Sequence, residues 1–392
     1  MDQVNRAIKS TPFYKKYSPI KTMEDFRKLP IISKQDILQN AEQFHGQIPE
    51  NMTLRANTGG SSGTPMTFLI HKNRTRPKEY AHFNWFWHLY GYRPGDRMVM
   101  MRGKPLKDNR LFQYQAVKNC LNISCYEISA RNIDAVLHEI SRFKPAFVHA
   151  YPSAVQIFMK CCGNRPRHYL QTIKALFLGS EFLSSEDRSL IEKFFNAPVC
   201  SWYGHSECAV MGGNLPGSNQ FAFFPFYGYI ELLDDENQPV TVIGQSGRII
   251  ATSFDNDAQP FLRYDTGDRG TLGNSYDFQG IKLFTLDEIE GRGQDEIFLE
   301  DGRSVTLTAF IFGQHLPAFE KIKELQLEQF QPGKLQINLV PLNDFQPEDI
   351  SQLISSLEQS VSNNIKINVN VVSHIEKTIR GKHRFLIQHV KK

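Results

Sequence analysis

The sequence predicts an α/β protein with a large N-terminal domain, built on mixed and parallel sheets flanked by helices, and a small α+β C-terminal domain. Three observations predict this architecture. Short apolar segments alternate with helical patterns through the middle of the chain, which favours βαβ units. Antiparallel strand patterns follow Tyr227, and a separate pattern of strands and a helix begins near residue 292. We therefore predict two domains, residues 1–291 and residues 292–392.

The N-terminal part divides into two kinds of predicted elements. Residues 1–55 read as helical and loop pieces, separated by prolines at positions 12, 19, 30 and 49. Ser184 is a predicted N-cap, because Asp187 follows three residues later and a helical pattern begins there. The alternating region contributes strands Met98–Met101, Phe147–Ala150, Ala175–Leu178 and Pro198–Ser201, with helices Ile133–Phe143 and Glu186–Phe195.

The second half of the chain has a different pattern. Two strands joined by a turn at Gln331-Pro332-Gly333 open the predicted C-terminal domain, and glycines at positions 291 and 293 allow a hinge before it. The predicted strands here are Tyr227–Leu233, Gly247–Ser253, Gly280–Thr285, Glu324–Phe330, Leu335–Val340 and Ile365–Val372, and the predicted helix is Asp349–Val361.

Composition restricts the class of protein. The chain has 392 residues, of which 41% are hydrophobic and 22% charged, as in ordinary globular proteins. Its 45 Lys and Arg against 41 Asp and Glu give a net charge of +4, which does not indicate a nucleic-acid partner. No apolar stretch approaches the length of a membrane span. Six cysteines in so long a chain do not indicate a disulfide framework, so we expect a cytoplasmic protein; homodimer formation stays open.

The run from Asn57 to Pro65 is the most informative segment. It reads NTGGSSGTP, with glycines among hydroxyl residues. Glycines allow backbone amides to approach a ligand closely, and such amides and hydroxyls bind phosphate oxygens. A flexible surface loop is the alternative interpretation. The candidate phosphate-binding residues are Thr58, Gly59, Gly60, Ser61, Ser62, Gly63 and Thr64.

Two further segments carry carboxylates. Residues 201–207 read SWYGHSE, in which an aromatic face can stack on a purine and Glu207 can hold Mg²⁺. An ordinary strand–loop junction is the alternative. Residues 263–269 read RYDTGDR and predict a turn-rich loop whose carboxylate can accept hydrogen bonds from ribose hydroxyls. Asp-Thr-Gly also occurs in aspartic proteases, but the second such motif that their carboxylate pair requires is absent.

The remaining candidates are two basic residues and a conceivable zinc site. Arg292 lies at the proposed hinge, and its guanidinium suits anions and ribose oxygens. Lys382, near the end of the chain, is either a solvated charge or a mobile cation that reaches a phosphate when the small domain closes. Cys200, His205 and Cys208 lie close together, but their spacing fits no standard zinc site.

In order and spacing, these segments resemble the adenylate-forming superfamily, and the chain is most similar to its phenylacetate–CoA ligase branch, including the capsular polysaccharide biosynthesis proteins. The resemblance covers nearly the whole chain. Further matching segments are Thr11-Pro12-Phe13-Tyr14, Leu29-Pro30-Ile31-Ile32-Ser33-Lys34, residues 90–97 (YGYRPGDR) and Ala150-Tyr151-Pro152-Ser153.

The resemblance implies an AMP-forming acid ligase with a mobile C-terminal lid domain. Its cofactors would be ATP, Mg²⁺ and coenzyme A as the acyl acceptor. Thr58 to Thr64 would hold the β- and γ-phosphates, and Lys382 would contact the substrate carboxylate and the α-phosphate. The remaining implied roles are adenine lining by Gly179, Ser180 and Glu181, stacking by Tyr203, α-phosphate contact by Ser206, Mg²⁺ ligation by Glu207, and ribose binding by Asp268 beside Arg292, with Trp202 and Gly204 in the same motif.

The partner would be a small carboxylic acid, whose identity stays open. Candidate pocket residues are His149, Tyr151 and His205, together with aromatic residues at positions 83–87 and 202. Aromatic side chains favour an aryl or small apolar acid, although the spacing of residues 83–87 fits a buried helix face. A carrier-protein thiol or a sugar amine is an alternative acceptor.

Two departures from the family pattern keep other functions open. Thr64 stands where the family usually has a basic residue, and Gln294 stands at a pivot position that is commonly Asp or Lys. These departures favour a non-catalytic scaffold that binds a nucleotide or an acyl-adenylate, whereas the intact Glu207, Asp268 and Lys382 argue against it. A third function is an acyl-protein synthetase, which passes the acyl group to a protein cysteine.

Overall fold

The computed structural model describes residues 1–57, 66–102, 106, 110–125, 127–165, 167–290, 296–311, 316–376 and 385–390. In chain order, the first elements are α1 (Asp2–Ser10), α2 (Met23–Arg27), α3 (Lys34–Gln39), β1 (Thr53–Asn57), β2 (Thr67–His71) and α4 (Thr75–His88). The next are β3 (Met98–Met101), β4 (Phe112–Gln115), β5 (Cys120–Ile123), α5 (Ile133–Phe143), β6 (Phe147–Ala150), α6 (Pro152–Cys162), β7 (Ala175–Gly179) and α7 (Ser185–Phe195).

The second half is richer in strands. Its N-terminal portion comprises β8 (Val199–Gly204), β9 (Met211–Asn214), β10 (Phe221–Phe223), β11 (Gly228–Leu233), β12 (Ser246–Ser253), β13 (Tyr264–Leu272), β14 (Tyr276–Phe278) and β15 (Ile281–Glu290). The C-terminal portion comprises β16 (Glu296–Phe298), β17 (Ser304–Thr306), α8 (Leu307–Phe310), β18 (Ile322–Gln331), β19 (Lys334–Pro341), α9 (Pro347–Ser360), β20 (Lys366–Val371) and β21 (Leu386–Gln388).

Contacts divide the chain into two compact units. The first unit comprises Met1–Ala56, Met66–Arg93 and Cys200–Arg292. The second unit comprises mainly Pro94–Val199 and Gly293–Lys392. Each unit has its own cluster of buried apolar side chains. The boundary at residues 291/292, drawn from the sequence, stays a prediction.

The sheet of the first unit is antiparallel. Its strand order is β11-β12-β13-β15-β10-β9-β8, and β14 pairs with the edge of β15. Helix α3 begins at a capping box, in which the Ser33 hydroxyl accepts a hydrogen bond from the Asp36 amide. The segment before α3 joins β13, because the Ile32 amide donates to the Arg263 carbonyl over 2.9 Å. The N-terminal helices are thereby attached to the strand that carries Asp268.

The sheet of the second unit is mostly parallel. Strands β7, β6, β3 and β5 run parallel in that order, and β4 pairs antiparallel with β5. Every residue of β6 and β7 is buried, as expected for parallel strands covered on both faces. Helix α5 buries Ile133, Val136, Leu137 and Ile140, which lie on one face of the helix.

The C-terminal part of the second unit is an α+β structure. Its sheet has the order β20-β19-β18-β21, with an antiparallel β18–β19 pair between two parallel pairs. Helix α9 begins with a capping box between Gln346 and Asp349 and buries Leu353 and Leu357. Within this unit, the apolar core of the C-terminal part is continuous with that of residues 99–199.

The structure confirms the predicted fold class. Strands β3 and β6 and helix α5 have the predicted bounds, and Ser184 caps α7 by accepting a hydrogen bond from the Asp187 amide. None of the six cysteines, all in the described part of the chain, forms a disulfide. Within the described ranges, no helix is long and apolar enough to cross a membrane.

The prediction of a loop at residues 263–269 is wrong. Residues Tyr264–Leu272 form strand β13, and the register shifts where Arg269 faces Arg248 and Asp265 faces Ile250. Three residues on β13 therefore oppose Ile249 alone, and Gly267 has a φ of +74°. Asp-Thr-Gly therefore forms a bulge within a strand and not a turn between strands. A bulge changes the directions of the side chains relative to a regular strand.

Candidate active site

Glu207 is held at the end of strand β8. The strand ends at Gly204, and the chain turns through residues 205–210 before β9. The Glu207 side chain is buried, and its Oε2 lies 3.0 Å from Nδ1 of His205. Its Oε1 accepts a hydrogen bond of 2.9 Å from the hydroxyl of Tyr264, the first residue of β13. Two neighbours from different elements therefore fix the direction of this carboxylate.

His205 and Glu207 shift each other's pKa in opposite directions. Burial by itself would raise the pKa of Glu207, but the hydrogen bond and charge of His205 lower it below its ordinary value. Burial by itself would lower the pKa of His205, but Glu207 raises it above its ordinary value. Glu207 is therefore an ionised carboxylate. Nε2 of His205 is buried and has no hydrogen-bond partner within the described part of the chain.

Asp268 lies at the bulge of β13. Its Oδ2 accepts a hydrogen bond of 2.9 Å from the Tyr203 hydroxyl, and its amide donates to the Thr266 hydroxyl. The Thr266 hydroxyl in turn donates to the Ile249 carbonyl over 2.9 Å. The bulge therefore presents the carboxylate of Asp268 to the aromatic residue at the end of β8.

The other members of the 201–207 segment surround this group. The Trp202 ring packs edge to face on Phe83 with centroids 5.3 Å apart, and Trp87 lies 6.3 Å away. Gly204 is exposed at the strand end, and among the described residues a Cβ built there would meet only the Val210 carbonyl oxygen, at 3.8 Å. Packing against the described residues therefore does not require glycine at position 204. The adjacent Ser206 is half-buried in the turn.

A second group, made of predicted residues and Arg102, lies in the second unit, at the carboxyl ends of parallel strands. Arg102 follows β3, His149 and Tyr151 are at the end of β6, and Ser180 follows β7. The Arg102 guanidinium contacts Nε2 of His149 at 3.0 Å and donates to Oγ of Ser180 at 2.9 Å. It also lies over the Tyr151 ring, 4.9 Å from the centroid. Ligands bind at this edge in open α/β sheets.

Glu181 accepts hydrogen bonds from other residues of the second unit. Its carboxylate accepts hydrogen bonds from the amide and the hydroxyl of Ser153, each over 2.9 Å. The hydroxyl of Thr306, at the end of β17, also donates to it. Burial raises the pKa of Glu181, although these hydrogen bonds oppose the rise. Glu181 therefore joins the carboxyl end of β7 to the C-terminal part of the chain.

The predicted site residues thus fall into three sets. One set lies outside the described residues: Thr58, Gly59, Gly60, Ser61, Ser62, Gly63, Thr64, Arg292 and Lys382, together with the departure at Gln294. The structure brings together a second set in the first unit: Trp202, Tyr203, Gly204, His205, Ser206, Glu207 and Asp268. A third set lies together in the second unit: His149, Tyr151, Gly179, Ser180 and Glu181.

Sequence analysis missed two residues of these groups. Tyr264 stood within a noted segment, but nothing in the sequence indicated that its hydroxyl reaches Glu207, 57 residues away. Arg102 follows directly after a predicted parallel strand, and the rule that ligands meet the carboxyl ends of such strands could have singled it out. Aromatic residues 86 and 87 are buried, in agreement with the predicted helix face.

Oxygen chemistry at Glu207 suits Mg²⁺. The carboxylate is buried and ionised, and each of its oxygens has a second lone pair beyond the hydrogen bond that it accepts. Within the described part of the chain, no group of three or more His, Cys, Asp or Glu side chains could hold a metal ion. The alternative zinc site at Cys200, His205 and Cys208 therefore finds no support there.

Comparison with solved structures identifies the class of fold. The chain resembles a crystal structure of 2-hydroxyisobutyryl-CoA ligase in an open conformation with 2-HIB-AMP and CoA: the TM-score is 0.59 and the identity 19%, over 98% of this chain and 89% of that one. It also resembles that ligase with the same ligands in the thioesterification state, with a TM-score of 0.60 and 19% identity over 98% and 87% of the two chains. The chain has the same fold as 2-hydroxyisobutyryl-CoA ligase.

Sequence comparison adds a particular relative. Residues 301–389 match the family model described as the CapK C-terminal domain. The chain is 25% identical to Protein CapK of Staphylococcus aureus over 382 residues, which cover 94% of this chain and 82% of that protein. The resemblance to the adenylate-forming superfamily and its CapK-like branch is confirmed.

Proposed function

We propose that this chain is an AMP-forming ligase, which uses ATP to activate a carboxylic acid as an acyl-adenylate and then transfers the acyl group to an acceptor. The observation that carries the proposal is the group at the end of β8. There, an ionised Glu207 is fixed by His205 and Tyr264, and Tyr203 contacts Asp268 in the same unit. The fold and the likeness to Protein CapK support the same conclusion.

In this proposal, the first unit binds the nucleoside and the metal ion. Asp268 accepts hydrogen bonds from the ribose hydroxyls, and Tyr203 offers its ring to the adenine. Gly204 leaves space for the ligand, and Ser206 contacts the α-phosphate. Glu207 holds Mg²⁺, which supplies positive charge to the phosphate oxygens when it is bound.

Residues outside the described part of the chain complete the assignment. Thr58 to Thr64 hold the β- and γ-phosphates through backbone amides and hydroxyls, and Arg292 lies beside the ribose. By the same resemblance, Gly179, Ser180 and Glu181, which do lie in the described part, would line the adenine. These assignments follow the family pattern residue by residue.

The first half-reaction needs little covalent chemistry from the protein. A carboxylate oxygen of the substrate attacks the α-phosphorus of ATP, the bond to the bridging oxygen of pyrophosphate breaks, and pyrophosphate leaves. The positive charge of Lys382 reduces the repulsion between these two anions. Alignment and electrostatic stabilisation therefore lower the barrier.

The second half-reaction transfers the acyl group. A thiolate attacks the acyl carbon of the adenylate, and AMP leaves. Coenzyme A is the proposed acceptor, because the 2-hydroxyisobutyryl-CoA ligase structures contain both an acyl-AMP and CoA. The resemblance of the sequence to capsular polysaccharide biosynthesis proteins makes a role in surface polysaccharide biosynthesis part of this proposal, with a sugar amine as the alternative acceptor.

The test is ATP–pyrophosphate exchange over a panel of aryl, fatty, hydroxy, amino and dicarboxylic acids. Exchange that depends on an acid would establish adenylation and identify the substrate class. Coenzyme A, a carrier-protein thiol, a protein cysteine and an amino sugar would then be compared as acceptors of the preformed adenylate. An absence of exchange with every acid, despite measurable ATP binding, would overturn the proposal in favour of a non-catalytic scaffold.

A further inference from the structure

Arg102 carries a positive charge at the carboxyl edge of the second unit's parallel sheet. It follows β3 directly, is half-buried, and is held in place by His149, Ser180 and the Tyr151 ring. Among the residues that the structure describes, no carboxylate forms an ion pair with it. Its guanidinium is therefore positioned by uncharged neighbours.

The side chains that contact the Arg102 guanidinium are uncharged. Burial and the adjacent Arg102 hold the pKa of His149 well below its usual range, so the imidazole is neutral and accepts the hydrogen bond of the guanidinium. Ser180 is a neutral acceptor as well. The nearby acid is Glu181: the charge of Arg102 acts to lower the pKa of Glu181, but the Glu181 carboxylate accepts its hydrogen bonds from Ser153 and Thr306.

The guanidinium retains donors for a ligand. Arginine has five N–H groups in a planar fork, and His149 and Ser180 use one each of those on Nη1 and Nη2. The remaining donors suit the two oxygens of a carboxylate or a phosphate, which arginine binds in a bidentate manner. His149 and Tyr151 were the predicted walls of the acid pocket, and Arg102 contacts both of them.

We propose that Arg102 binds a second anionic group on the acid substrate, an inference that rests on the proposed function. The substrate class is then a carboxylic acid that carries an additional carboxylate or phosphate. This replaces the aryl or small apolar acid expected from the sequence, because a partly desolvated guanidinium without an anion disfavours a wholly apolar ligand.

The charge change during adenylation indicates that Arg102 binds a second anionic group and not the reacting carboxylate. The reacting carboxylate loses its negative charge when the acyl-adenylate forms. An arginine fixed on it would stabilise the ground state more than the later states, and this would not accelerate the reaction. A second anionic group keeps its charge throughout, so its contact with Arg102 is retained in the transition state.

The experiment compares matched acids in ATP–pyrophosphate exchange. Glutarate is paired with its monomethyl ester, and 3-phosphoglycerate is paired with glycerate, so that the two arms distinguish a carboxylate from a phosphate. The wild-type chain should favour one doubly anionic acid over its matched partner by about 10- to 100-fold in kcat/KM, as for a hydrogen-bonded charge pair. The variant R102Q should lose that preference, because exchange with the doubly anionic acid should fall by more than exchange with its singly charged partner.

Arg97 provides the matched control at the opposite end of the same strand. Its guanidinium donates to the Phe143 carbonyl over 3.1 Å, and R97Q should keep the wild-type preference. R102K keeps the positive charge but lacks the planar fork of N–H donors, so it should retain part of the preference. R102K replaces R102Q in the comparison if R102Q does not fold.

Three outcomes would overturn the inference. One is a wild-type preference for the singly charged acids, and another is an equal loss for all acids in R102Q. The third applies if no acid supports exchange, in which case the proposed function fails on its own account. Calorimetric titration with glutarate and with 3-phosphoglycerate then tests whether Arg102 binds an anion. Binding of neither ligand, or binding that R102Q leaves unchanged, would overturn the inference.

Discussion

The hydroxyl of Tyr264 donates a hydrogen bond of 2.9 Å to Oε1 of Glu207. The first residue of β13 thereby orients a carboxylate that follows β8. We expect Tyr264→Phe to keep the ring in place but to raise the Mg²⁺ concentration for half-maximal pyrophosphate exchange about tenfold, the lower end of what an outer contact of a metal ligand contributes. Glu207→Gln should raise it further. A Mg²⁺ titration unchanged in both variants would exclude Glu207 as the metal ligand.

The pair of His205 and Glu207 predicts a pH window of stabilisation. The pKa of His205 is raised above its ordinary 6.5, so its contribution is present below that pH and is lost as pH rises through the folded value. The pKa of Glu207 is lowered below its ordinary 4.5, so its contribution is present above that pH and is lost as pH falls through the folded value. Both contributions are complete between about pH 4.5 and 6.5.

We therefore expect His205→Asn to lower the free energy of unfolding most between about pH 4.5 and 6.5, and to lower it less at more acidic and at more basic pH. Denaturant unfolding of both proteins at several pH values measures this difference. A difference that stays constant with pH would contradict the assigned pair.

Arg263 and Glu231 form a buried ion pair in the first unit. Nε and Nη2 of Arg263 each lie 3.0 Å from a different Glu231 oxygen, and Nη1 donates to the Leu29 carbonyl over 2.7 Å. Glu231→Gln would leave a buried guanidinium without its counter-charge, so we expect a loss of about 3–5 kcal/mol in the free energy of unfolding.

The solvent-exposed pair of Arg165 and Asp134 provides the control, and Asp134→Asn should change stability little. Denaturant unfolding compares the two variants. Equal losses in both variants would show that burial does not strengthen the Arg263 contact.

Gly204 and Gly228 should respond oppositely to a methyl group. Within the part of the chain that the structure describes, a Cβ at position 204 meets one atom, at 3.8 Å, whereas a Cβ at position 228 would overlap the Ala209 carbonyl oxygen. We expect Gly204→Ala to keep the melting temperature and to weaken ATP binding roughly 5- to 100-fold, as for a forced steric contact with the ligand. Gly228→Ala should lower the melting temperature. Unchanged ATP affinity in Gly204→Ala would remove position 204 from the nucleotide site.

Lys382 should matter for the first half-reaction and little for ATP binding. Loss of one charge contact to the reacting groups typically costs about 10² to 10³ in rate. We expect Lys382→Ala to lower pyrophosphate exchange by that factor, whereas Lys366→Ala on exposed β20 should leave it unchanged. Full exchange activity in Lys382→Ala would contradict the assigned role.

Local patterns were enough to predict much of the architecture. Helix α5 and strands β3 and β6 were predicted at their observed bounds because their apolar residues repeat with the period of a helix or form short buried runs. Strand β13 was missed because Asp-Thr-Gly is a turn signal, and a bulge uses the same residues within a strand. That bulge depends on pairing with β12, which no local pattern contains.

The sequence by itself determined the fold class and the order of the motifs. Periodicity, capping residues and glycine-rich runs are local properties, so they can be read along the chain. Only the tertiary structure decided that Tyr264 orients Glu207, that Tyr203 contacts Asp268, and that Arg102 lies against His149 and Ser180. These contacts join residues 47 to 78 positions apart. Such contacts depend on strand order and register, which are set by the packing of the whole sheet.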